Sequence, residues 1–176
     1  SSKIGLTSGN NLNKKGFAYD VFQSATGRKD ALDWYVSANG VQRNDQFDGN
    51  GHRIPQDTSQ GSNMDTQTYD LQGRFGYELD ADKKISLSLQ DYKDQQDTDY
   101  TKNPRITSEA VAVKGLDLDD QPFTHNQAVN LNYTDKDFYG QGLQVESYWR
   151  RADALFFPDL SRGKAGISDN NSVQDV

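Results

Sequence analysis

The feature that most constrains the fold is a long stretch, Thr68–Gln90, in which apolar and polar side chains alternate. From Tyr69 to Leu79 the odd-numbered positions are apolar or glycine, and the even-numbered positions between them are mostly polar. The pattern breaks at Ala81-Asp82-Lys83 and then resumes with apolar residues at the odd positions Ile85, Leu87 and Leu89. Alternation with a period of two is typical of strands with one apolar and one polar face. The stretch is therefore predicted to be an antiparallel hairpin.

The strands of this hairpin are unusually long. Tyr69 to Leu79 spans roughly 33 Å at about 3.3 Å per residue, whereas an average soluble strand has about 5–6 residues. Tilted by about 40°, such a strand covers roughly 25 Å, which is the height of the apolar band of a transmembrane β-barrel. The hairpin therefore favours an all-β antiparallel meander that forms part of such a barrel.

The rest of the chain repeats this unit, so that about seven strands are predicted in residues 1–176. Besides the hairpin 68–90, a further short strand is possible around Val111 and Val113. The other five strands are a short one at Ile4 and Leu6, then Gly16–Ala25, Ala31–Arg43, Gln127–Thr134 and Gly142–Arg151.

The predicted connections alternate between long and short. The segments 44–65 and 91–125 are long and polar, whereas 26–30, 81–83 and 134–141 are short. Barrels of bacterial outer membranes have short periplasmic turns and long extracellular loops. Aromatic residues with apolar parity near the predicted strand ends fit two interfacial girdles: Phe17, Tyr69, Trp149, Tyr77 and Tyr133.

Composition excludes several function classes. The chain has no cysteine and a net charge of −7, which argue against disulfide frameworks, thiolate catalysis and nucleic-acid binding. Only 33% of residues are hydrophobic, and no run approaches a membrane helix. The two histidines, His52 and His125, lie in loop-like sequence, and no catalytic motif or phosphate loop occurs. The chain is therefore not expected to be an enzyme, and no cofactor is expected.

A polar cluster in the first long loop has two interpretations. Asp45, Asp48 and Asn50, together with Gly49 and Gly51, faintly resemble a calcium-binding loop. Asp-Gly-Asn-Gly sequences also form tight turns, and this second interpretation is favoured over a loop cation.

Two further architectures remain open at this point. A soluble β-sandwich also has alternating strands, although it does not explain the rhythm of loop lengths. A passive or adhesin-type outer-membrane barrel explains both. Because strand patterns lie close to both ends of the sequence, the chain is interpreted as part of a longer, processed protein.

Three segments resemble TonB-dependent siderophore receptors. These are Phe47-Asp48-Gly49-Asn50-Gly51 after a run of strands, the long hairpin that follows, and Tyr148-Trp149-Arg150 with Phe156-Phe157-Pro158. The chain is most similar to the ferric aerobactin receptor family. The resemblance implies a 22-stranded barrel filled by an N-terminal plug, of which these are the early barrel strands. Neither the plug nor the TonB-coupling box is in this sequence.

The resemblance also implies the partners. These are a ferric siderophore of the hydroxamate or citrate type as transported ligand, the TonB complex acting through the plug, and the lipid and lipopolysaccharide of a Gram-negative outer membrane. A siderophore with spare carboxylates is anionic, and arginine binds carboxylates with two parallel hydrogen bonds. The ligand-binding candidates are cations at the long-loop ends and tyrosines that share polar-face parity with two of them: Arg43, Tyr92, Arg105, Tyr148 and Arg150.

Overall fold

The computed structural model describes residues 1–8, 14–55, 64–102, 112–156 and 173–175. These residues contain ten strands and a short 3-10 helix at Lys14–Gly16, and they contain no α-helix. The strands are β1 (Ser2–Thr7), β2 (Ala18–Lys29), β3 (Leu32–Arg43), β4 (Thr66–Glu78), β5 (Lys83–Gln96), β6 (Tyr100–Lys102), β7 (Ala112–Lys114), β8 (Phe123–Phe138), β9 (Gln141–Leu155) and β10 (Val173–Asp175).

Eight of these strands form one antiparallel sheet in the order β1-β2-β3-β4-β5-β8-β9-β10. Each of these strands pairs with the next one along the chain, except that the small hairpin β6–β7 is inserted between β5 and β8. The predicted hairpin is β4–β5, in which Phe75 pairs with Leu87 and Tyr77 with Ile85. The all-β antiparallel meander is therefore confirmed.

The sheet is a single layer whose apolar face is uncovered. Leu71 is 47% exposed, and Val21 and Val145 are each 53% exposed, although they belong to the most apolar side of the sheet. In the part of the chain that the structure describes, the extensive contacts between strands all join hydrogen-bonded neighbours. The β-sandwich interpretation needs a second sheet over this face, and the described residues supply none.

The helical structure of the described residues is the three-residue 3-10 helix Lys14–Gly16. None of their helical segments has the length and apolarity that crossing a bilayer requires.

The apolar band crosses the sheet at a slant. One register row is apolar or glycine in the first four strands and charged or polar in the next three: Ile4, Val21, Gly40 and Tyr69, then Lys93, His125 and Asp153. On the long-loop side, the apolar band ends at Tyr19 in β2. In β9 it ends at Trp149, which lies in the register row of Ala25 of β2 and thus farther from the long loops than Tyr19.

This slant measures the tilt of the strands. The edge of the band shifts by about one residue per strand, and neighbouring strands are about 4.8 Å apart with a rise of about 3.3 Å per residue. A level band then requires strands tilted by about 35–40°, which is the tilt of strands in transmembrane barrels.

The alternation of connection lengths is confirmed within the described residues. The turns between β2 and β3 and between β8 and β9 each have two residues, and Asp30, Tyr139 and Gly140 in them adopt positive φ angles of 51°, 54° and 81°. In the β8–β9 turn both central residues have positive φ, which gives the turn twist that matches a β-hairpin. Because the meander is antiparallel, the turns β2–β3, β4–β5 and β8–β9 all lie at one end of the sheet.

Several strands extend beyond their predicted ends. The predicted turn at 26–30 is wrong in its first part, because Gly27 continues β2 and pairs with Trp34. A Cβ atom at Gly27 would lie 2.6 Å from the Trp34 ring, so the glycine makes room for that indole. The connection predicted at 91–125 is also too long, because β5 continues to Gln96 and β8 already begins at Phe123.

Most of the buried side chains lie at or beyond the long-loop ends of the strands; Asp135, near the short-turn end of β8, is an exception. Met64 is 4% exposed and Leu116 and Leu155 are each 6% exposed, while Thr66 is almost fully buried. The chain therefore builds its small core between the loops, and the sheet itself stays one layer thick.

Candidate functional site

Arg43 ends β3 on the polar face of the sheet. Its guanidinium donates a hydrogen bond of 3.2 Å to the hydroxyl of Thr68, which in turn donates to the carboxylate of Asp94. Register places Thr66 directly opposite Arg43. The predicted face and end of the strand are thus correct for Arg43, and a carboxylate lies one hydroxyl away from its charge.

Tyr92 lies on the same face in β5, between Asp70 of β4 and Asn126 of β8 in the register. Asp70 accepts hydrogen bonds from the side-chain amides of Gln72 at 2.9 Å and Gln90 at 3.4 Å. Two side-chain amides therefore hold the carboxylate of Asp70, which lies opposite Tyr92 in the register.

Tyr148 and Arg150 project from the polar face of β9. Register places Arg150 opposite Ala128 and Tyr148 opposite Asn130, and Tyr148 is 80% exposed. Ala128 pairs with Gln90 of β5 and is two register rows from Tyr92, so the side chains of Ala128 and Tyr92 are diagonal neighbours on one face. Ala128 thus contributes only a short side chain to the polar face between Gln90 and Arg150.

The predicted residues that the structure describes are spread over three strands of the sheet. Tyr92, Tyr148 and Arg150 lie on β5 and β9 with only β8 between them. Arg43 lies four strand-to-strand steps and six register rows from Arg150, so their Cα atoms are roughly 28 Å apart at about 4.8 Å per step and about 3.3 Å per row. Arg105 lies outside the described residues.

The histidines differ from expectation. The prediction that His125 lies in a loop is wrong. His125 lies within β8, on the face that carries the apolar band. There its Nε2 atom lies 2.9 Å from Asp91, whose other oxygen accepts a hydrogen bond of 3.0 Å from Gln127. His52 lies in the first long loop as predicted, 3.4 Å from the carboxylate of Asp48.

The turn interpretation explains the hydrogen bonds of the first long loop. One Asp48 carboxylate oxygen accepts hydrogen bonds from the backbone N–H groups of His52 and Asn50, at 2.8 and 2.9 Å. These bonds, led by that of His52, lower the pKa of Asp48. Asp45 is bound to the guanidinium of Arg53. Within the described ranges, no three histidine or carboxylate side chains converge as a metal site.

Arg53 is the residue that sequence reasoning missed. Its side chain is only 7% exposed, and it binds the carboxylates of Asp45 and Asp65 and lies against the ring of Tyr100. Asp45 and Asp65 lie 8 and 12 residues from Arg53 in the same loop, and Tyr100 lies in the next one. Neither loop has a periodic pattern, so no sequence signal pointed to their contact.

Comparison with known proteins gives one set of relatives. The chain is 30% identical to the rhizobactin receptor of Rhizobium meliloti (strain 1021) and 31% identical to the ferric aerobactin receptors of Klebsiella pneumoniae and Escherichia coli. Each match extends over 139 residues and covers 74% of this chain and 19% of the relative. The chain thus spans about a fifth of the length of the curated relatives it matches.

No protein-family model matches the chain, and no solved structure matches it. The relationship therefore rests on the three receptors and on the all-β meander. Both agree with the resemblance that the strand pattern and the aromatic segments indicated. Over this segment, the chain is a relative of the TonB-dependent siderophore receptors.

Proposed function

We propose that these residues form part of the barrel wall of an outer-membrane receptor that binds and imports a ferric siderophore. The observation that carries the proposal is the similarity to three receptors named after siderophores or their ferric complexes. In this arrangement the uncovered apolar face contacts lipid and the polar face lines the lumen.

The slanted apolar band supports the membrane position. A band that is level with a bilayer crosses tilted strands obliquely, and the tilt of about 35–40° derived above lies in the range of such barrels. The charged residues Lys93, His125 and Asp153 then lie outside the hydrocarbon region, although they share the face of the apolar side chains. Lipid and lipopolysaccharide are the partners of this face.

The ligand in this proposal is an anionic hydroxamate or citrate siderophore such as aerobactin. Tyr92 and Tyr148 offer aromatic surface and hydroxyl groups, and Arg150 offers a guanidinium that carboxylates bind through two hydrogen bonds. Arg43 and Arg105 are the further proposed contacts, closer to the loops or within them. Import is coupled to the TonB complex through a plug that precedes these strands in the full-length protein.

The direct test is binding by the full-length protein in its native membrane. Purified outer membranes that carry the protein are expected to bind ferric aerobactin saturably and to bind iron-free aerobactin more weakly. Cells are expected to accumulate iron from the complex only when the TonB complex is intact. Saturable binding without uptake in any strain would favour an adhesin-type barrel, and absence of binding to every anionic ferric siderophore would reject the receptor.

Replacing Arg150 or Arg43 with alanine is expected to weaken ferric-siderophore binding by about tenfold or more. A hydrogen bond to a charged group contributes about 1.5–3 kcal/mol, and about 1.4 kcal/mol changes an affinity tenfold. Equilibrium binding to the full-length receptor measures the change, and heat-modifiable gel migration checks folding.

A matched control is Arg28→Ala. Arg28 is also on the polar face, but it lies at the short-turn end, where it pairs with Glu78 at 2.7 Å and is largely exposed. Its loss is expected to leave affinity unchanged. Unchanged affinity in Arg43→Ala, Arg150→Ala and the double variant would remove both residues from the site.

A further inference from the structure

Arg53 is the central residue of the first long loop, the segment 44–65 between β3 and β4. Its Nε atom donates a hydrogen bond of 2.7 Å to Asp45 near the start of the loop, and its Nη2 atom donates to Asp65 at the end. One guanidinium thus holds both ends of its own loop.

The same residue also binds the second long loop, the segment 97–122 between β5 and β8. The guanidinium carbon lies 3.8 Å from the centre of the Tyr100 ring, close enough for a cation–π interaction. The backbone carbonyl oxygen of Arg53 accepts a hydrogen bond of 3.3 Å from the N–H of Ala112. Tyr100 begins β6 and Ala112 begins β7, so both strands of the small hairpin contact this one residue.

The burial of this group makes the contacts interdependent. The side chains of Asp45 and Asp65 are 14% and 13% exposed, so Arg53 neutralises charges that water barely reaches. Burial raises the pKa of Asp65, and the neighbouring Asp45 raises it further, while the charge of Arg53 opposes both effects. Removing one partner of a buried ion pair is strongly destabilising, because the remaining charge is left uncompensated.

The contacts lie at the long-loop end of the sheet, next to the row that contains Arg43. Asp65 precedes Thr66, and register places Thr66 between Arg43 of β3 and Gln96 of β5. The backbone N–H of Asp97 donates a hydrogen bond of 2.7 Å to the carbonyl oxygen of Asp65. The two loops therefore meet one residue beyond the row that contains Arg43.

We infer that Arg53 is a positioning residue that fastens the two loops together before any ligand arrives, so that the mouth of the site is preformed. This inference rests on the proposed function, since the loops border the proposed ligand surface. A loop that is already ordered loses less conformational freedom when a ligand binds, and this preserves affinity. Arg53 itself is buried and is not a ligand contact.

The distance between the loops tests the inference without any ligand. Spin labels are attached at Asn50→Cys in the first loop and Asp117→Cys in the second, and both positions are exposed. Because the 176 residues contain no cysteine, no other position in this segment is labelled. In the full-length receptor we expect a narrow distribution of label distances for the native loops and a distribution at least twice as broad for Arg53→Met. An equally narrow distribution in Arg53→Met, or a broad one in the unmutated receptor, would overturn the inference.

Further variants separate fastening from folding. Arg53→Met combined with Asp45→Asn and Asp65→Asn removes the uncompensated charges, and we expect it to fold and still to give the broad distribution. Arg53→Lys keeps the charge but lacks the planar fork, so an intermediate width is expected. Arg28→Met, the exposed arginine at the other end of the sheet, is expected to match the unmutated loops. A narrow distribution in the triple variant would contradict the fastening role.

Ligand binding supplies the second readout. We expect the triple variant to bind ferric aerobactin at least tenfold more weakly than the unmutated receptor, with normal heat-modifiable migration. Unchanged affinity with separated loops would overturn the positioning role. Absence of binding by the unmutated receptor would instead reject the proposed function, and the label distances would still decide whether Arg53 fastens the loops.

Discussion

An arginine in place of Val36 is expected to destabilise the folded receptor by about 2–4 kcal/mol, which lowers the folding equilibrium constant roughly 30-fold to 1,000-fold. Val36 lies in the middle of the apolar stretch of β3, on the uncovered face, and is 37% exposed. In the proposed barrel wall, a charge there enters the hydrocarbon region, since no protein layer in the described residues covers the position. Urea titration of the full-length protein in lipid vesicles, followed by heat-modifiable gel migration, measures the loss.

Two controls on the same strand isolate the cause. Ser37→Arg places the same charge on the polar face, where we expect a much smaller effect. Gln42→Arg keeps the apolar parity but lies near the loop end of β3, where an arginine is expected to cost about 0–1 kcal/mol. Equal losses in all three variants would mean that the uncovered face does not contact lipid.

Residues 1–176 expressed alone are expected to form no stable soluble monomer. Among the described strands, β1 and β10 end the sheet with unpaired edges, and the apolar face has no partner layer. Open edges and exposed apolar strands promote association in water, and unpaired backbone groups are unfavourable in lipid.

Size-exclusion chromatography and circular dichroism during heating check this expectation. Large aggregates without a cooperative transition are the expected outcome. A monodisperse species that melts cooperatively would contradict the expectation and would revive the soluble β-domain. The full-length receptor, extracted in detergent, is the control that melts as a folded protein.

The meander was predictable from the sequence because, in a one-layer sheet whose two faces differ in polarity, apolar and polar residues alternate along each strand. Leu71, Phe75 and Leu87 alternate with polar residues, and the register confirms that they share a face. The ends of strands were not predictable in the same way. Asp91 and Lys93 have apolar-face positions in β5 but are charged, since the slanted band has already ended there.

The candidate site was predictable only in part. Parity correctly placed Arg43, Tyr92, Tyr148 and Arg150 on the polar face, because each lies on a regular strand. The distances between these residues depend on the order and register of the strands in the sheet. The residue pattern of a single strand carries no information on either. Arg53 was not predictable at all, because its partners come from two polar loops and their contact is a property of the folded chain.

The joining of the two long loops by Arg53 has a consequence for immunology. In the proposed receptor, the surface presented to the outside combines main-chain segments from both loops, which the contacts of Arg53 hold side by side. An antibody that binds where the two loops meet would recognise a composite epitope. A synthetic peptide that copies either loop alone lacks half of that surface and makes a poor immunogen against the living cell.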